Sequence, residues 1–170
     1  MQITLELIKK EHKEILRNLL EKYLYEFSQY VDIGDGINDL GLFGYDHLDM
    51  YWNDSGRFPY FIKVDGRLAG FAMVSAYPIT GTEVDFKMSE FFIIYQYRKS
   101  GVAAYCVNLL FEMHKGKWSI LFHPDNVISK KFWLRTIDQY TNGNYQQVTK
   151  EQVSYQGTPP TTLVFDTDQN

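Results

Sequence analysis

Five consecutive bulky apolar residues, Phe91-Phe92-Ile93-Ile94-Tyr95, run into Gln96-Tyr97-Arg98-Lys99-Ser100-Gly101-Val102-Ala103, and a helical pattern begins at once. This order constrains the chain more than any other feature: it predicts a strand, a basic glycine-containing turn and a helix N-terminus. Val102, Cys106, Leu109, Leu110 and Met113 fall on one face of that helix, and Gly116 stands past its end as a stop signal. A helix start presents unpaired backbone N–H groups and the positive end of its dipole, which together bind phosphate. Gly101 permits a backbone shape that a Cβ would obstruct, and Ala103 is small enough to let phosphate oxygens reach the N–H groups. Arg98 and Lys99 add positive charge. The same string also describes an ordinary loop with a solvated basic edge, and taken alone it does not separate the two.

The 170 residues fit one domain spanning 1–170, and 45% hydrophobic residues is ample for one core. Aromatics reach 16%, a share that serves either a bulky core or the lining of a small-molecule site. A formal net charge of -4 disfavours a general nucleic-acid-binding surface. Cys106 is the only cysteine, so an intrachain disulfide and a cysteine-based zinc cage are both excluded, and no metal is expected. Lys9, Lys10 and Glu11 interrupt any secretory apolar segment, and the run 91–95 is too short to cross a bilayer. A cytoplasmic domain is the expectation.

Upstream, residues 2–8 alternate as a first strand, and residues 11–30 carry apolar positions at helical spacing. The stretch 32–56 holds five glycines and six aspartates with interleaved aromatics, which reads as a long loop with one short helix. Residues 60–64 and 68–76 flank Asp65-Gly66, the signature of a type I′ hairpin. Pro78 and Gly81 mark a second turn, and residues 83–94 form the next strand. Downstream, residues 118–122 read as a buried strand broken by His123-Pro124-Asp125-Asn126, and a second helix begins near Val127.

With that last segment the chain resembles the GNAT acetyltransferases. Their core order is an apolar strand, Arg/Gln-x-x-Gly-x-Gly/Ala, a helix, a strand, then Asn-x-x-Ala-x-x-aromatic-aromatic. Arg98, Gly101 and Ala103 match the first motif; Asn126, Ser129, Phe132 and Trp133 match the second, with Ser in place of Ala. The resemblance covers roughly residues 84–137. It implies an α/β (α+β) fold: a central, mostly antiparallel mixed sheet flanked by helices and splayed between the fourth and fifth strands. It also implies acetyl-CoA as co-substrate and an N-acetyltransferase that acts on a primary amine by direct attack in a ternary complex.

By the same resemblance, pantetheine lies along the fourth strand against Phe91, Phe92 and Ile93. A backbone N–H near Ile93 then faces the thioester oxygen and stabilises the charge that develops there. The pyrophosphate falls on Arg98, Lys99, Ser100, Gly101, Val102 and Ala103. Asn126 bonds pantetheine near the opening, beside Ser129 and Trp133, and a helix-cap role for Asn126 is compatible with that. Glu90, at the start of the apolar run, is the candidate base, and its alternative is a solvated strand-end charge. His123 is the reserve base. Alternation puts Glu90 and Ile93 on opposite faces unless a bulge intervenes.

Many family members place a tyrosine where this chain has Trp133, and that hydroxyl protonates the leaving thiolate. An indole does not. Cys106 could suggest an acyl-enzyme, but its helical register places it in the core. The loop 32–52 is expected to wall the acceptor pocket through Tyr45, Tyr51 and Trp52, its carboxylates suiting a cationic amine. Expected partners are a small-molecule or peptide amine and, in a homodimer, a second copy of the chain, with no nucleic acid and no membrane. Two other readings remain: a non-catalytic acyl-CoA-binding domain, favoured by the missing tyrosine, and an interaction module using the aromatic loop 32–56.

Overall fold

Among the described residues of the computed structural model, seven strands form one sheet in the order β1-β2-β3-β4-β5-β7-β6. The structure describes residues 1–34, 36–77, 83–149 and 158–168. The strands are β1 (Ile3–Leu7), β2 (Arg57–Val64), β3 (Arg67–Ser75), β4 (Phe86–Ile93), β5 (Lys117–Phe122), β6 (Tyr145–Thr149) and β7 (Thr161–Asp166). The helices are α1 (Lys13–Phe27), the short α2 (Met50–Asn53), α3 (Val102–Met113) and α4 (Val127–Thr141). All neighbouring strands pair antiparallel except β4 and β5, which run parallel. The expected mixed sheet is therefore present. The predicted turn at Pro78 and Gly81 lies outside the described residues.

Each face of the sheet buries a separate apolar cluster. On one side Val102, Cys106, Val107, Leu110 and Phe111 of α3 pack with Trp133 and Ile137 of α4 against the sheet. On the other, Leu16, Leu19 and Leu20 of α1 join Leu48 and Tyr51 over Phe61, Phe71, Met73 and Phe92. The buried face of α3 differs from the predicted one: Val107 and Phe111 are fully buried, whereas Met113 is 50% exposed. This helix is apolar on most of its circumference, so periodicity alone does not set its rotation. The Asp65-Gly66 turn is as predicted, with φ of 49° and 75°. The two C-terminal strands β6 and β7 extend the sheet beyond what the sequence pattern predicted.

Two local features of β3 and β4 shape the site. A Cβ built on Gly70 would lie 2.0 Å from the Phe92 carbonyl oxygen, so only glycine lets these strands approach as they do. In β4, Met73 faces Glu90 while Val74 faces Met88, which leaves Ser89 as an extra residue, a β-bulge. The bulge turns Met88 to the α3/α4 face and its second neighbour Glu90 to the α1 face.

Candidate active site

β5 pairs with β4 only over Phe86↔Trp118, Lys87↔Ser119 and Met88↔Ile120. Beyond Met88 the two strands part, at the bulge. The hydrogen bond from Ile94 N–H to the Ala69 carbonyl, 2.9 Å, sets the backbone phase. In an antiparallel pair, alternate residues bond to the same neighbour. Glu90 and Phe92 thus turn their backbone groups to β3, while Phe91 and Ile93 turn theirs toward β5, into the splay. Arg98 Nε donates to the Ile93 carbonyl at 2.6 Å, as this phase requires. Among the described residues no strand pairs with that edge. The N–H groups of Phe91 and Ile93 and the Phe91 carbonyl therefore face a cleft of about 1790 Å³.

The turn after β4 arrives at α3 through two left-handed residues, Lys99 at φ 61° and Gly101 at φ 86°. For Lys99 this conformation costs about 1–2 kcal/mol, a strain of the kind that collects at ligand sites. Gly101 caps α3, and the first bond inside the helix runs from Tyr105 N–H to the Gly101 carbonyl at 3.1 Å. The N–H groups before it lack partners within the helix. Lys99 and Ala103 line the cleft, but Ser100, Gly101 and Val102 do not. Ser100 Oγ donates to the Tyr97 carbonyl at 2.6 Å. Val102 is fully buried, its backbone included.

Arg98 does not stand open as the sequence suggested. Its guanidinium spans to both carboxylate oxygens of Glu26 on α1 at 2.8 Å and lies over the rings of Phe92 and Tyr95. It ties β4 to α1, and the exposed Lys99 is the cation left at the turn. Phosphate binding here would rest on backbone N–H groups, the helix dipole and Lys99. These groups fit a pyrophosphate, and the open edge of β4 fits an extended amide chain.

Glu90 sits on the α1 side of the bulge. The Tyr45 phenol donates to its Oε1 at 3.1 Å, and the Tyr23 hydroxyl of α1 also favours its ionised form. Burial pushes the carboxyl up to about 7, against the opposing pull of the two phenols and the Lys87 charge. Tyr45 is itself held above the usual phenol range, by burial first and by Glu90 next. A carboxyl with this poise takes and returns protons near neutrality. Tyr23 is one of the apolar positions of residues 11–30 and is partly buried; its hydroxyl is the signal that sets it apart from the leucines around it. Ser89 Oγ lies near the Tyr51 phenol and is buried without a hydrogen-bond partner among the described residues.

His123 is 3% exposed, stacks on Tyr30 with centroids 6.0 Å apart, and accepts the Asp125 N–H at Nδ1 at 3.2 Å. That contact assigns the neutral ring's proton to Nε2 and occupies Nδ1, the nitrogen a base would use. His123 is thus less suited to proton removal than Glu90. Asn126 caps α4, its Oδ1 accepting the Ser129 N–H at 2.9 Å. Its amide nitrogen has no hydrogen-bond partner among the described residues. Trp133, 6% exposed, meets Phe91 edge-on at 5.6 Å, and Phe132 stacks on Phe91 at 6.0 Å. Cys106 is fully buried, and burial pushes its thiol up to about 12, which removes it as a nucleophile.

Of the loop aromatics, Tyr45 and Tyr51 line the cleft; Trp52 does not. Its indole N–H donates to the Ile8 carbonyl at 2.8 Å, pinning α2 to the end of β1. Nor do the loop aspartates among the described residues reach the cleft: Asp49 pairs with Lys13 at 2.8 Å. Two cations that the sequence did not single out, Arg57 and Lys87, line it instead. Among the described residues no group of three or more His, Cys, Asp or Glu is placed to hold a metal ion. No described helix is long and apolar enough to cross a membrane.

No protein-family model and no curated protein matches the sequence. Solved structures do match in shape. An acetyltransferase from Thermus thermophilus aligns with a TM-score of 0.69 at 13% identity, covering 98% of this chain and 97% of that one. A GNAT-family acetyltransferase from Staphylococcus aureus gives 0.62 at 13%, covering 98% and 99%. A spermidine N-acetyltransferase from Vibrio cholerae, in complex with CoA and spermine, gives 0.64 at 10%, covering 99% and 97%. With the parallel β4–β5 pair, the splay beyond Met88 and the glycine-capped helix after β4, the chain has the fold of the GNAT acetyltransferases.

Proposed function

We propose that this chain is an acetyl-CoA-dependent N-acetyltransferase that acts on a primary amine by direct attack in a ternary complex. The observation that carries the reading is the conjunction in β4 just past the bulge: a strand edge unpaired among the described residues and, on the α1 face beside it, a carboxyl poised near 7. Acetyl-CoA would supply an activated acyl group on a good leaving thiolate. Phe91 and Ile93 would hold the pantetheine amides through their backbone groups, and the N–H near Ile93 would face the thioester oxygen. Lys99 and the start of α3 would hold the pyrophosphate, with Asn126 donating from its amide nitrogen.

On the acceptor side, Glu90 would take the proton of the amine, directly or through water, which frees the nitrogen lone pair. Tyr45 holds the carboxylate in place by its hydrogen bond, and Tyr23 favours its ionised form. Trp133 offers no acidic proton to the leaving sulfur, so water or solvent would supply it. The buried thiol of Cys106 argues for direct attack over an acyl-enzyme. That the Vibrio cholerae neighbour is a CoA complex supports the cofactor assignment by analogy of fold. We also infer one domain acting in the cytoplasm, with a small-molecule or peptide amine as acceptor.

Calorimetric titration with acetyl-CoA, followed by thiol release and mass analysis of the amine product, tests the reading. Binding with no thiol release on any amine would leave a non-catalytic acyl-CoA-binding domain. No binding would overturn both.

A further inference from the structure

Arg57, Ser75 and Lys87 form one row across three strands, since Arg57 faces Ser75 in β2–β3 and Ser75 faces Lys87 in β3–β4. Residues in such a row share a face of the sheet. The Cα atoms of the two residues therefore stand about 10 Å apart across the sheet, with Glu90 past the bulge on the same face and the Tyr51 ring against Arg57. Both line the cleft. Arg57 gives its Nε to Asp54 at 2.9 Å and lies over the rings of Tyr51 and Tyr77, 5.4 and 4.9 Å from their centroids. A guanidinium has five donors, so these contacts leave others for a ligand.

Lys87 is half-buried and makes no hydrogen bond or ion pair among the described residues. Residues 78–82, between β3 and β4, are Pro-Ile-Thr-Gly-Thr and bring no charge. Burial and the Arg57 charge both pull the Lys87 ammonium below its usual range, and the counterweight is Glu90. If Glu90 takes a proton from the acceptor amine, that counterweight disappears, and a second anion is then needed beside Lys87.

The cofactor's own phosphates do not meet this need. Ile93 is six residue steps from Lys87 in β4, about 20 Å along the strand, and the phosphate-binding turn lies beyond Ile93. The charge count of the cleft agrees. Among the described residues its lining holds Lys22, Arg57, Lys87, Arg98 and Lys99 against Glu21, Glu26 and Glu90, five cations to three carboxylates, in a chain of net charge -4. Glu26 is held by Arg98, and Glu21 accepts the N–H groups of Phe43 and Gly44 at 2.8 and 2.9 Å. Neither is left to attract a polycation.

We propose that the acceptor is an amine that also carries an anionic group, a carboxylate or a phosphate, held between Lys87 and Arg57 while its nitrogen lies at Glu90. This rests on the acetyl-transfer reading above and names the substrate class of that site. It sets the chain apart from its spermine-bound structural neighbour. The sequence hid the subsite because Arg57 and Lys87 are 30 residues apart and meet only through the register of β3.

Equilibrium binding in the presence of CoA tests the proposal without requiring turnover. Amino acids are compared with their carboxamides, aminoalkyl phosphates with the matching amino alcohols, and spermidine stands as the polycation. At least one anionic amine should bind tenfold or more tighter than its uncharged counterpart, and the paired arms show whether carboxylate or phosphate is preferred. Lys87→Met should erase that preference while leaving CoA affinity and the melting transition near the parent's. A Lys87→Gln variant serves if the Met variant does not fold. Tighter binding of spermidine or of the uncharged analogues, a preference unchanged in Lys87→Met, or no binding by any amine would overturn the proposal. Absence of CoA binding, or of thiol release with an amine that does bind, would instead count against the acetyl-transfer reading.

Discussion

The Tyr45 phenol donates to Glu90 Oε1 across 3.1 Å, joining the loop between α1 and α2 to the bulged strand β4. This hydrogen bond favours the ionised carboxyl and so opposes the burial that raises it. Tyr45→Phe removes the bond and keeps the ring. The carboxyl should then rise further above 7, and the acid limb of the kcat/KM profile should move to higher pH. At pH 7 the variant should lose several-fold in rate, with much of it recovered near pH 9. An unshifted profile would show that Tyr45 does not act through Glu90.

The same burial costs stability. A carboxyl near 7 in the fold and near 4.5 in the unfolded chain binds more protons in the folded state between those values. Stability is therefore lost as pH rises through that window and stays lower above it. Glu90→Gln removes the titration. Urea denaturation should find the variant more stable than the parent at pH 8, by about 1–3 kcal/mol, and the gain should fade below pH 5. A variant that loses both activity and stability at pH 8 would argue that Glu90 is structural.

Gly70 allows the close approach of β3 to β4, and a Cβ there would lie 2.0 Å from the Phe92 carbonyl oxygen. Gly70→Ala should cost more than about 2 kcal/mol by denaturant midpoint. Because the displaced strand carries both the open edge and Glu90, acetyl-CoA binding should weaken with it. Parental stability would mean that the strands can separate without strain.

The two neighbouring cations after β4 should separate cleanly. Arg98 is bound to Glu26 and the Ile93 carbonyl, so Arg98→Met should lower stability by about 1 kcal/mol. Lys99 is exposed at the turn, so Lys99→Met should leave stability alone and weaken CoA several-fold, most at low salt. A reversal of these two effects would place the phosphates on Arg98.

Much of the architecture was legible because it depends on neighbours in sequence. The strand, basic turn and helix at 91–113 follow from local periodicity and Gly101. The Asp65-Gly66 hairpin follows from its turn residues. What escaped depends on partners far along the chain. Arg98 looked open because its partner Glu26 lies 72 residues away. Trp52 looked like a pocket aromatic because the carbonyl that holds it belongs to Ile8. Strand β6, Tyr-Gln-Gln-Val-Thr, has too few apolar residues to show alternation and exists through its pairing with β7. The bulge at Ser89 left no mark in composition, yet it decides which face Glu90 occupies.

Thiol release from acetyl-CoA, with parent and Glu90→Gln proteins on the same amine from pH 6 to 9, tests the central claim most directly. The parent should show amine-dependent release, rising through an apparent pKa near 7. In the variant, CoA affinity should be unchanged and turnover at pH 7 reduced on the order of 10²-fold or more, the deficit narrowing as free amine becomes abundant. Release by the parent that no amine accelerates, or a folded variant with parental turnover at pH 7, would contradict that claim.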